Sequence, residues 1–147
     1  MKKKLQEKLF ERFPEIYRGS RLSPREHCLG RGIEVDDGWF PIVYAVSEAI
    51  NSHLKKLKAA GKPLDFEFAQ IKEKFSTLRI YDNGGDEFID GVIATAEILS
   101  SITCEVCGAS GFKCVNSRGS WIKTLCEEHA KNLEYRKCET SNEEQEQ

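Results

Sequence analysis

Hydrophobic residues recur every three or four positions in three stretches of the chain, and this spacing predicts three amphipathic helices. The first stretch covers residues 3–18 and contains a break at Pro14, because proline removes a backbone N–H. The third stretch follows Asp86, which can cap a helix, and reaches Leu99. The apolar face of the first helix comprises Leu5, Leu9, Phe13 and Ile16.

The second stretch has the longest apolar stripe and predicts the clearest helix. Asp36 or Asp37 can cap its start, and Pro41 fits its first turn, where a missing N–H costs little. Gly61 and Pro63 mark its end. The stripe comprises Trp39, Ile42, Val43, Val46, Ala49, Ile50, Leu54 and Leu57.

Residues 64–85, "LDFEFAQIKEKFSTLRIYDNGG", predict a β-hairpin, because aromatic and β-branched residues that favour strands dominate both halves. The turn is expected at "FST", residues 75–77. The alternation of apolar and polar positions slips between Ala69 and Ile71, which indicates a β-bulge.

Length and composition favour one soluble domain, or one domain with a small appendage, with a modest core. The chain has 147 residues, of which 39% are hydrophobic and 31% charged. No apolar run approaches the roughly 18 to 20 residues that a membrane span needs. The start, "MKKKLQEKLFERF", has no apolar segment of the kind found in secretory signals, so we expect a protein of a reducing cytoplasm with no membrane partner.

The charge distribution disfavours a dedicated duplex-DNA binder. The formal net charge is −2 and the pI about 6.0, whereas such binders usually carry a basic face and a high pI. Residues 139–147, "ETSNEEQEQ", hold four glutamates and no basic residue. We expect this end to be a disordered acidic tail.

Four of the six cysteines and one histidine fall within residues 104–129. Cys104 and Cys107 form one short-spaced pair, and Cys126 and His129 form another. Each pair can span two corners of a tetrahedron, so the two pairs together predict a zinc site. Four good protein ligands leave no open position for water, which favours a structural rather than a catalytic ion.

The residues around these pairs predict a treble-clef-like module: a zinc knuckle at "CEVCG", a short hairpin, and a helix that begins near the second pair. Disulfides would require export, and a thioredoxin-like redox pair would require a βαβ context that is missing. A His-Asn-His nuclease would need histidine on the first hairpin strand, which reads "GFKCVN" and offers only Asn116. Cys114, expected to be a buried thiol, and Cys138 remain alternatives for the fourth ligand.

A second candidate site is the predicted hairpin itself. If the side chains concerned share one face, they form a basic, aromatic-bearing surface for a phosphate or an acidic partner. The alternative is a solvated face on which Glu67 and Glu73 act as counter-charges. The candidate surface comprises Lys72, Lys74, Arg79 and Tyr81.

The sequence shows no catalytic constellation, so we do not predict an enzyme. His27 and Cys28 are neighbours in a loop, but a Cys/His nucleophile pair has to meet across the fold rather than along the chain. His53 lies at the edge of the second helix's apolar stripe and is expected to be partly buried.

Two further groups have ordinary structural interpretations. The carboxylates of Glu34, Asp36 and Asp37 could bind a cation, but helix capping explains the two aspartates better. Trp39 and Trp121 are expected to anchor the core.

Three segments, "GIEVDDGWF", "QIKEKFSTLRIY" and "CEVCGASG…WIKTLCEEHA", resemble a group of small, uncharacterised proteins of bacteriophages and bacterial genomes. The resemblance runs over most of residues 30–132, with the three blocks in the same order. Asp36 stands where the group often has glycine, and Ser76 and Thr77 stand where it often has two glycines. The resemblance implies a phage or prophage setting and a zinc-bearing end, and it supplies no reaction.

The sequence therefore predicts an α+β fold of helices packed on a β-hairpin with a C-terminal treble-clef-like zinc lobe. The expected units are a core domain at 1–102, the zinc lobe at 103–138 and the tail at 139–147. The favoured function is a zinc-stabilised phage or prophage accessory protein that binds and modulates or inhibits a host protein, such as one of a defence system.

Two other functions stay open. One is a nucleotide-sequestering protein whose basic hairpin face meets phosphate. The other is a nucleic-acid-binding regulatory module, whose affinity would fall steeply with salt. Its contact candidates are Lys72, Lys74, Arg79, Lys113, Arg118 and Lys123.

Overall fold

The computed structural model describes residues 1–138 and shows a chain of mixed helix and sheet. The tail predicted at residues 139–147 lies outside the described part. The helices are α1 (Lys3–Arg12), α2 (Phe40–Ala59), α3 (Glu87–Ser100) and α4 (Glu127–Asn132). The strands are β1 (Glu67–Lys74), β2 (Thr77–Asn83), β3 (Phe112–Asn116), β4 (Ile122–Leu125) and β5 (Tyr135–Lys137). Short 3₁₀ helices cover Arg18–Arg21, Cys28–Arg31 and Asp37–Trp39.

The strands form two antiparallel sheets. β1 and β2 make a hairpin, and a second sheet has the strand order β4-β3-β5. The α+β prediction is confirmed at this level, with helices packed against the first hairpin. Strand β5 was not predicted, because its segment reads as a continuation of the helix before it. The chain leaves that helix at Asn132 and turns through Glu134, whose φ is 58°.

Helix α1 is shorter than predicted and ends at Arg12 instead of residue 18. The reason is Pro14, which has no N–H to donate to the next helical hydrogen bond. Beyond it the chain continues in turns that still bury Phe13 and Ile16. The apolar spacing therefore identified Leu9, Phe13 and Ile16 as core residues correctly, but Leu5 is only half-buried and the length of the helix was overestimated.

Helix α2 carries Pro41 in its first turn, as predicted, but the predicted cap is wrong. Neither Asp36 nor Asp37 accepts a capping hydrogen bond from the turns that follow. Asp37 instead accepts a bond of 2.7 Å from the backbone N–H of Lys2. Asp36 pairs with Lys123 at 3.2 Å, so both carboxylates hold distant segments together.

The β1–β2 hairpin contains the predicted irregularity. The register shifts between Phe68 and Gln70, so Ala69 is the extra residue of a β-bulge. Past the bulge, Lys72 lies directly opposite Arg79. The bulge prediction is confirmed.

The turn of this hairpin consists of Phe75 and Ser76, inside the predicted turn region. Their φ angles are 54° and 67°. Positive φ at both central residues is the signature of a type I′ turn, whose positions favour asparagine, aspartate and glycine. A phenylalanine is an unusual residue in this conformation.

Helix α3 begins as predicted at Asp86, whose Oδ1 accepts a bond of 3.0 Å from the N–H of Ile89. The other carboxylate oxygen lies 2.7 Å from Nε2 of His53, which is partly buried, as expected. The bond from His53, supported by the N–H of Ile89, holds the pKa of Asp86 below its usual value.

Apolar side chains of α1, α2, α3 and the inner face of the hairpin form the main core. Trp39 is fully buried in it, as predicted, whereas Trp121 is 59% exposed, so its assignment to the core is wrong. Trp121 immediately precedes β4, at the end of the loop from β3, and lies outside the main core. The largest fully buried side chains of the main core are Trp39, Tyr17, Phe13, Phe68, Leu9, Ile16, Leu29, Ile50, Ile71, Leu78 and Ile89.

A second, much smaller cluster lies in the C-terminal segment. Its few apolar side chains bury too little surface to stabilise an independent fold, so this segment needs another source of stability. The buried members of the cluster are Cys104, Cys114, Leu125 and Ala130.

Candidate metal centre

Four side chains from the two ends of the cysteine-rich segment meet in one cluster. The ligand atoms of Cys104, Cys107, Cys126 and His129 all lie within 4.8 Å of one another. Sγ of Cys126 is 3.8 Å from Sγ of Cys107 and 3.1 Å from Nδ1 of His129. Sγ of Cys104 is 3.8 Å from the same nitrogen. The sequence pairs predicted as ligands are thus together in space.

The spacing of these atoms fits one tetrahedral ion. Two thiolates bound to zinc at about 2.3 Å in tetrahedral geometry stand about 3.8 Å apart. That is the distance between the sulfurs of Cys107 and Cys126. All six cysteines of the chain are free thiols, so none of these contacts is a disulfide. A set of three thiols and an imidazole suits zinc among the common metals.

Local backbone geometry presents the first pair. The N–H of Gly108 donates to the carbonyl of Cys104 at 2.9 Å, which closes a tight turn around the two cysteines. Gly108 has a φ of 81°, a conformation that a residue with a Cβ rarely adopts. The N–H of Cys104 donates to Ala109 at 2.7 Å and completes the knuckle.

The second pair lies at the start of α4. Cys126 is the N-cap residue, and His129 follows within the first turn. Residues three apart on a helix lie on the same face, so both side chains reach the cluster without distortion.

The polar surroundings favour a thiolate at Cys104. Burial raises the pKa of this thiol, but backbone N–H groups of Cys126, Cys107 and Val106 outweigh burial and hold the pKa below its usual value. Donors that stabilise a thiolate also orient and tune a metal ligand.

The other cysteines stand outside the cluster. Cys114 is buried within β3, and its thiol donates to the carbonyl of Phe112 at 3.4 Å. Burial raises the pKa of this thiol, which keeps it protonated. Cys138 directly follows β5 and Cys28 lies in the N-terminal half of the chain, and neither belongs to the group of four.

The knuckle docks against the start of α2 at a point where only glycine fits. The N–H of Gly38 donates to the carbonyl of Glu105 at 2.7 Å. A Cβ on Gly38 would overlap the carbonyl oxygen of Cys104 and lie 2.5 Å from the nitrogen of Gly108. The indole Nε1 of the next residue, Trp39, donates to the carbonyl of Thr103 at 2.8 Å. These bonds cross the proposed boundary at residues 102 and 103, which stays a prediction.

A buried carboxylate strengthens the same contact. The side chain of Glu105 is 3% exposed and lies 2.7 Å from Nζ of Lys123, which also pairs with Asp36. Burial raises the pKa of Glu105, and the Lys123 ammonium opposes that rise. The pKa of Lys123 is raised because its two carboxylate partners outweigh its own burial.

Replacement of Lys123 by methionine is expected to destabilise the protein by about 3 kcal/mol, because it leaves the buried Glu105 carboxylate without a cation and with only the backbone N–H of Asp36, 3.3 Å away, as a donor. Adding Glu105→Gln should recover at least half of that loss, since the neutral amide costs less to bury. Urea unfolding of the metal-loaded single and double variants at neutral pH measures both effects. An unchanged midpoint for Lys123→Met would contradict this account of the ion pair.

The predicted basic surface on the hairpin is only partly assembled. Nζ of Lys72 lies over the ring of Tyr81, 5.4 Å from its centroid, on the face that Arg79 shares. The Arg79 guanidinium, however, pairs with Glu97 of α3 at 3.1 Å. Nζ of Lys74 lies over the ring of Phe75 at the turn. Ion pairing at Arg79 and Lys123 removes two of the six cations proposed for nucleic-acid contact, and both phosphate-binding functions stay predictions.

The remaining candidates have local partners. Nδ1 of His27 accepts from the N–H of Leu29 at 3.1 Å, and Cys28 is exposed. Glu34 accepts from the amide of Gln70, so the three carboxylates considered for a cation each face a different partner.

Two exposed aromatic residues that line a common cleft were not predicted from the sequence as candidate binding residues. Phe75 is 68% exposed at the first hairpin's turn, and Trp121 is 59% exposed beside the second hairpin. Together with Glu73, Lys74, Ser120 and Ile122 they line a cleft of about 270 Å³. Aromatic residues are usually assigned to the core from sequence patterns. The one signal that Phe75 is exposed was its place in the predicted turn, since turns lie at the surface.

Across residues 1–138, no helix combines the length and apolar character needed to cross a bilayer. The chain matches no protein-family model, and comparison with curated proteins and with solved structures found no match either. The resemblance to phage and prophage proteins therefore stays a prediction.

Proposed function

We propose that the protein is a zinc-stabilised accessory binding protein of a phage or prophage, which acts by occupying a surface of a host protein. The observation that carries this proposal is the aromatic cleft formed by Phe75 and Trp121 at the tips of two hairpins. Large exposed aromatic side chains are the residues that most often dominate binding energy at protein interfaces.

The conformation of Phe75 supports a binding role. A non-glycine residue at positive φ costs of order 1 kcal/mol, and a side chain that is 68% exposed recovers little of that cost by packing. Asparagine or glycine would make a more stable turn. Strain at an exposed aromatic residue is therefore better explained by contact with a partner than by folding.

The charges of the cleft favour a protein over a nucleic acid. Glu73 and Lys74 line it with one charge of each sign, so the cleft offers no net attraction to phosphates. Glu73 also accepts a bond of 2.7 Å from the N–H of Ser76, which holds its carboxylate beside the turn.

The ion in this proposal is structural zinc in a treble-clef-like arrangement of knuckle, β3–β4 hairpin and α4. Its role is to hold the second hairpin against the first. The hydroxyl of Thr124, two residues before Cys126, donates to the carbonyl of Ser76 at 2.6 Å. Through that bond the metal-bearing segment supports the strained turn and sets Trp121 beside Phe75.

Substitution of Phe75 by asparagine is expected to raise the free energy of unfolding by about 1 kcal/mol, because asparagine tolerates positive φ better. Thermal unfolding of the metal-loaded protein measures the change. Tyr81→Asn, at an exposed position within β2, is the control and should lower stability, since asparagine disfavours strands. A loss of stability in Phe75→Asn would show that the ring contributes packing to the fold.

The proposed function is tested by capture from bacterial lysate with the wild-type protein and with Phe75→Asn/Trp121→Ser. We expect the wild type to retain a stoichiometric protein partner and the double variant to lose it while its fold and metal content are unchanged. Cys28→Ser, which alters an exposed thiol outside the cleft, should retain the partner.

Recovery of no stoichiometric protein, or equal recovery with the double variant, would contradict the proposal. Nucleic acid that co-purifies and dissociates steeply with salt would instead favour the regulatory module. A bound nucleotide seen by native mass spectrometry would favour the sequestering function.

A further inference from the structure

A groove runs between α2 and α3, separate from the metal cluster and from the aromatic cleft. Its volume is about 450 Å³, and nearly all the side chains along it are apolar or small. Most of the main core's large side chains are closed off from solvent, so an open apolar channel of this size is a distinct feature. The residues that line the groove include Ile42, Val46, Phe88, Gly91, Val92 and Leu99.

The exposed stripe on α3 has the spacing of a helix-packing seam. Phe88, Gly91, Thr95 and Ile98 follow one another at intervals of three, four and three residues. All four are exposed, and Ile98 is 67% exposed. Apolar or small residues at alternating intervals of three and four form the face that a helix presents to another helix. A strand or an irregular peptide does not match this repeat.

The groove exists before a partner binds, and at Gly91 it is open enough for another backbone to approach closely. A Cβ on Gly91 would meet no atom within 4 Å, so an approaching backbone finds open space there. Phe88, 49% exposed, forms a wall at one end and is held by stacking on His53 at a centroid distance of 4.3 Å. Because His53 is itself bonded to Asp86, the position of this wall is fixed before anything binds.

The charged residue among those that line the groove, Glu87, is negative. The sequence has no lysine or arginine at residues 80–112, which include all of α3, or at residues 32–54, which include the groove-lining part of α2. Glu87 lines the groove, and Asp90 lies on the next turn of α3. Neither forms an ion pair within residues 1–138.

We infer that this groove is a docking site for a basic amphipathic helix of a partner protein, which lays its apolar face along α3 and its lysines or arginines beside Glu87 and Asp90. Helix α3 has 14 residues, roughly 21 Å at 1.5 Å per residue, enough for three to four turns of such a partner. A second copy of this chain fits less well, because its own α3 would bring acidic residues against acidic residues. The inference is independent of the aromatic cleft.

The probe is a synthetic helix-forming peptide of leucine and lysine, as long as α3, with leucines at three-four spacing. Its controls are a leucine/glutamate peptide of the same pattern and a scrambled leucine/lysine peptide that has no apolar face. Fluorescence anisotropy of the labelled peptides with the metal-loaded full chain measures affinity. We expect the patterned basic peptide to bind at least about tenfold more tightly than either control.

The variant Gly91→Arg tests whether the peptide binds in the groove. The new side chain fills the groove floor and adds a positive charge, while replacement of a helix-interior glycine favours the fold. It should lower the affinity of the basic peptide at least about tenfold without loss of thermal stability. The control, Ser117→Arg, adds the same charge at an exposed position of the β3–β4 loop, on neither α2 nor α3 and outside the groove lining, and should change the affinity little.

Each other outcome would overturn the inference. Equal binding by Gly91→Arg and wild type would mean that the peptide binds elsewhere, and equal binding by the scrambled peptide would mean simple charge attraction. Undetectable binding, or preference for the glutamate peptide, would refute the stated partner chemistry. A dimer in sedimentation that Gly91→Arg dissociates would assign the groove to a second copy. Phe75→Asn/Trp121→Ser should bind the peptide normally, so this test and that of the proposed function fail separately.

Discussion

Chelation of the metal is expected to unfold residues 103–138 while helices α1 to α3 remain folded. The apolar cluster of this segment is small, and zinc binding in comparable small modules contributes roughly 10–16 kcal/mol to folding. The main core contains none of the four ligands, so it keeps its own source of stability.

Hydrogen exchange before and after chelation measures this effect. We expect amides of β3, β4 and β5 to lose protection, among them that of Cys138, which donates to Lys113 at 2.9 Å. Amides within α2 should change little beyond its first turn. Unchanged exchange after proven metal removal, or the absence of metal from protein purified without chelator, would contradict a structural zinc site.

Two cysteine variants test the ligand set within the same experiment. Cys126→Ser should lose the metal, because it removes one of four ligands. Cys114→Ser should keep it, because this thiol points to a backbone carbonyl instead of the cluster. Retention by Cys126→Ser together with loss by Cys114→Ser would mean that the ligands are assigned wrongly.

The substitution Gly38→Ala is expected to lower the free energy of unfolding by about 2–4 kcal/mol, one of the largest effects available to a single methyl group in this chain. The added Cβ would strike backbone atoms of the knuckle, which cannot rotate away as a flexible side chain could. The 3₁₀ turn before α2 and the knuckle must therefore separate, and the bond from Gly38 to Glu105 is lost.

Gly91→Ala is the matched control, with the same chemical change and the opposite expected sign. Its new Cβ meets nothing within 4 Å, and alanine stabilises a helix interior by up to about 1 kcal/mol relative to glycine. Urea unfolding of both metal-loaded variants compares them directly. Equal stability of Gly38→Ala and wild type would show that the knuckle docks more loosely than its backbone contacts indicate.

Much of the fold follows from patterns that short segments carry by themselves. The spacing of apolar residues predicted α2 and α3, and the slip near Ala69 predicted the bulge, because each depends on neighbours within a turn or two. The predicted cap of α2 failed for the opposite reason, whereas that of α3 at Asp86 is confirmed. Asp36 and Asp37 have the right residue type and position, yet partners at Lys123 and Lys2, far away in sequence, bind their carboxylates instead.

The candidate site divides in the same way. The spacing of residues in the sequence was enough to predict Cys104, Cys107, Cys126 and His129 as ligands, because each pair is local. Only the meeting of the two pairs depends on the fold. The exposure of Trp121 could not be predicted, since a tryptophan beside a strand reads as a core residue. The groove was missed because the stripe of α3 looks like a buried face, and only the complete packing shows which part of it remains open.

The hydrogen bond from Thr124 to Ser76 has a consequence for how the protein matures in a cell. In the function proposed above, the main core can form without the ion, whereas the cleft between the hairpin tips requires a folded metal-bearing segment. The supply of that ion would then limit how much of the protein is able to bind its partner. Protein made without the ion would keep α1 to α3 but lack the binding cleft.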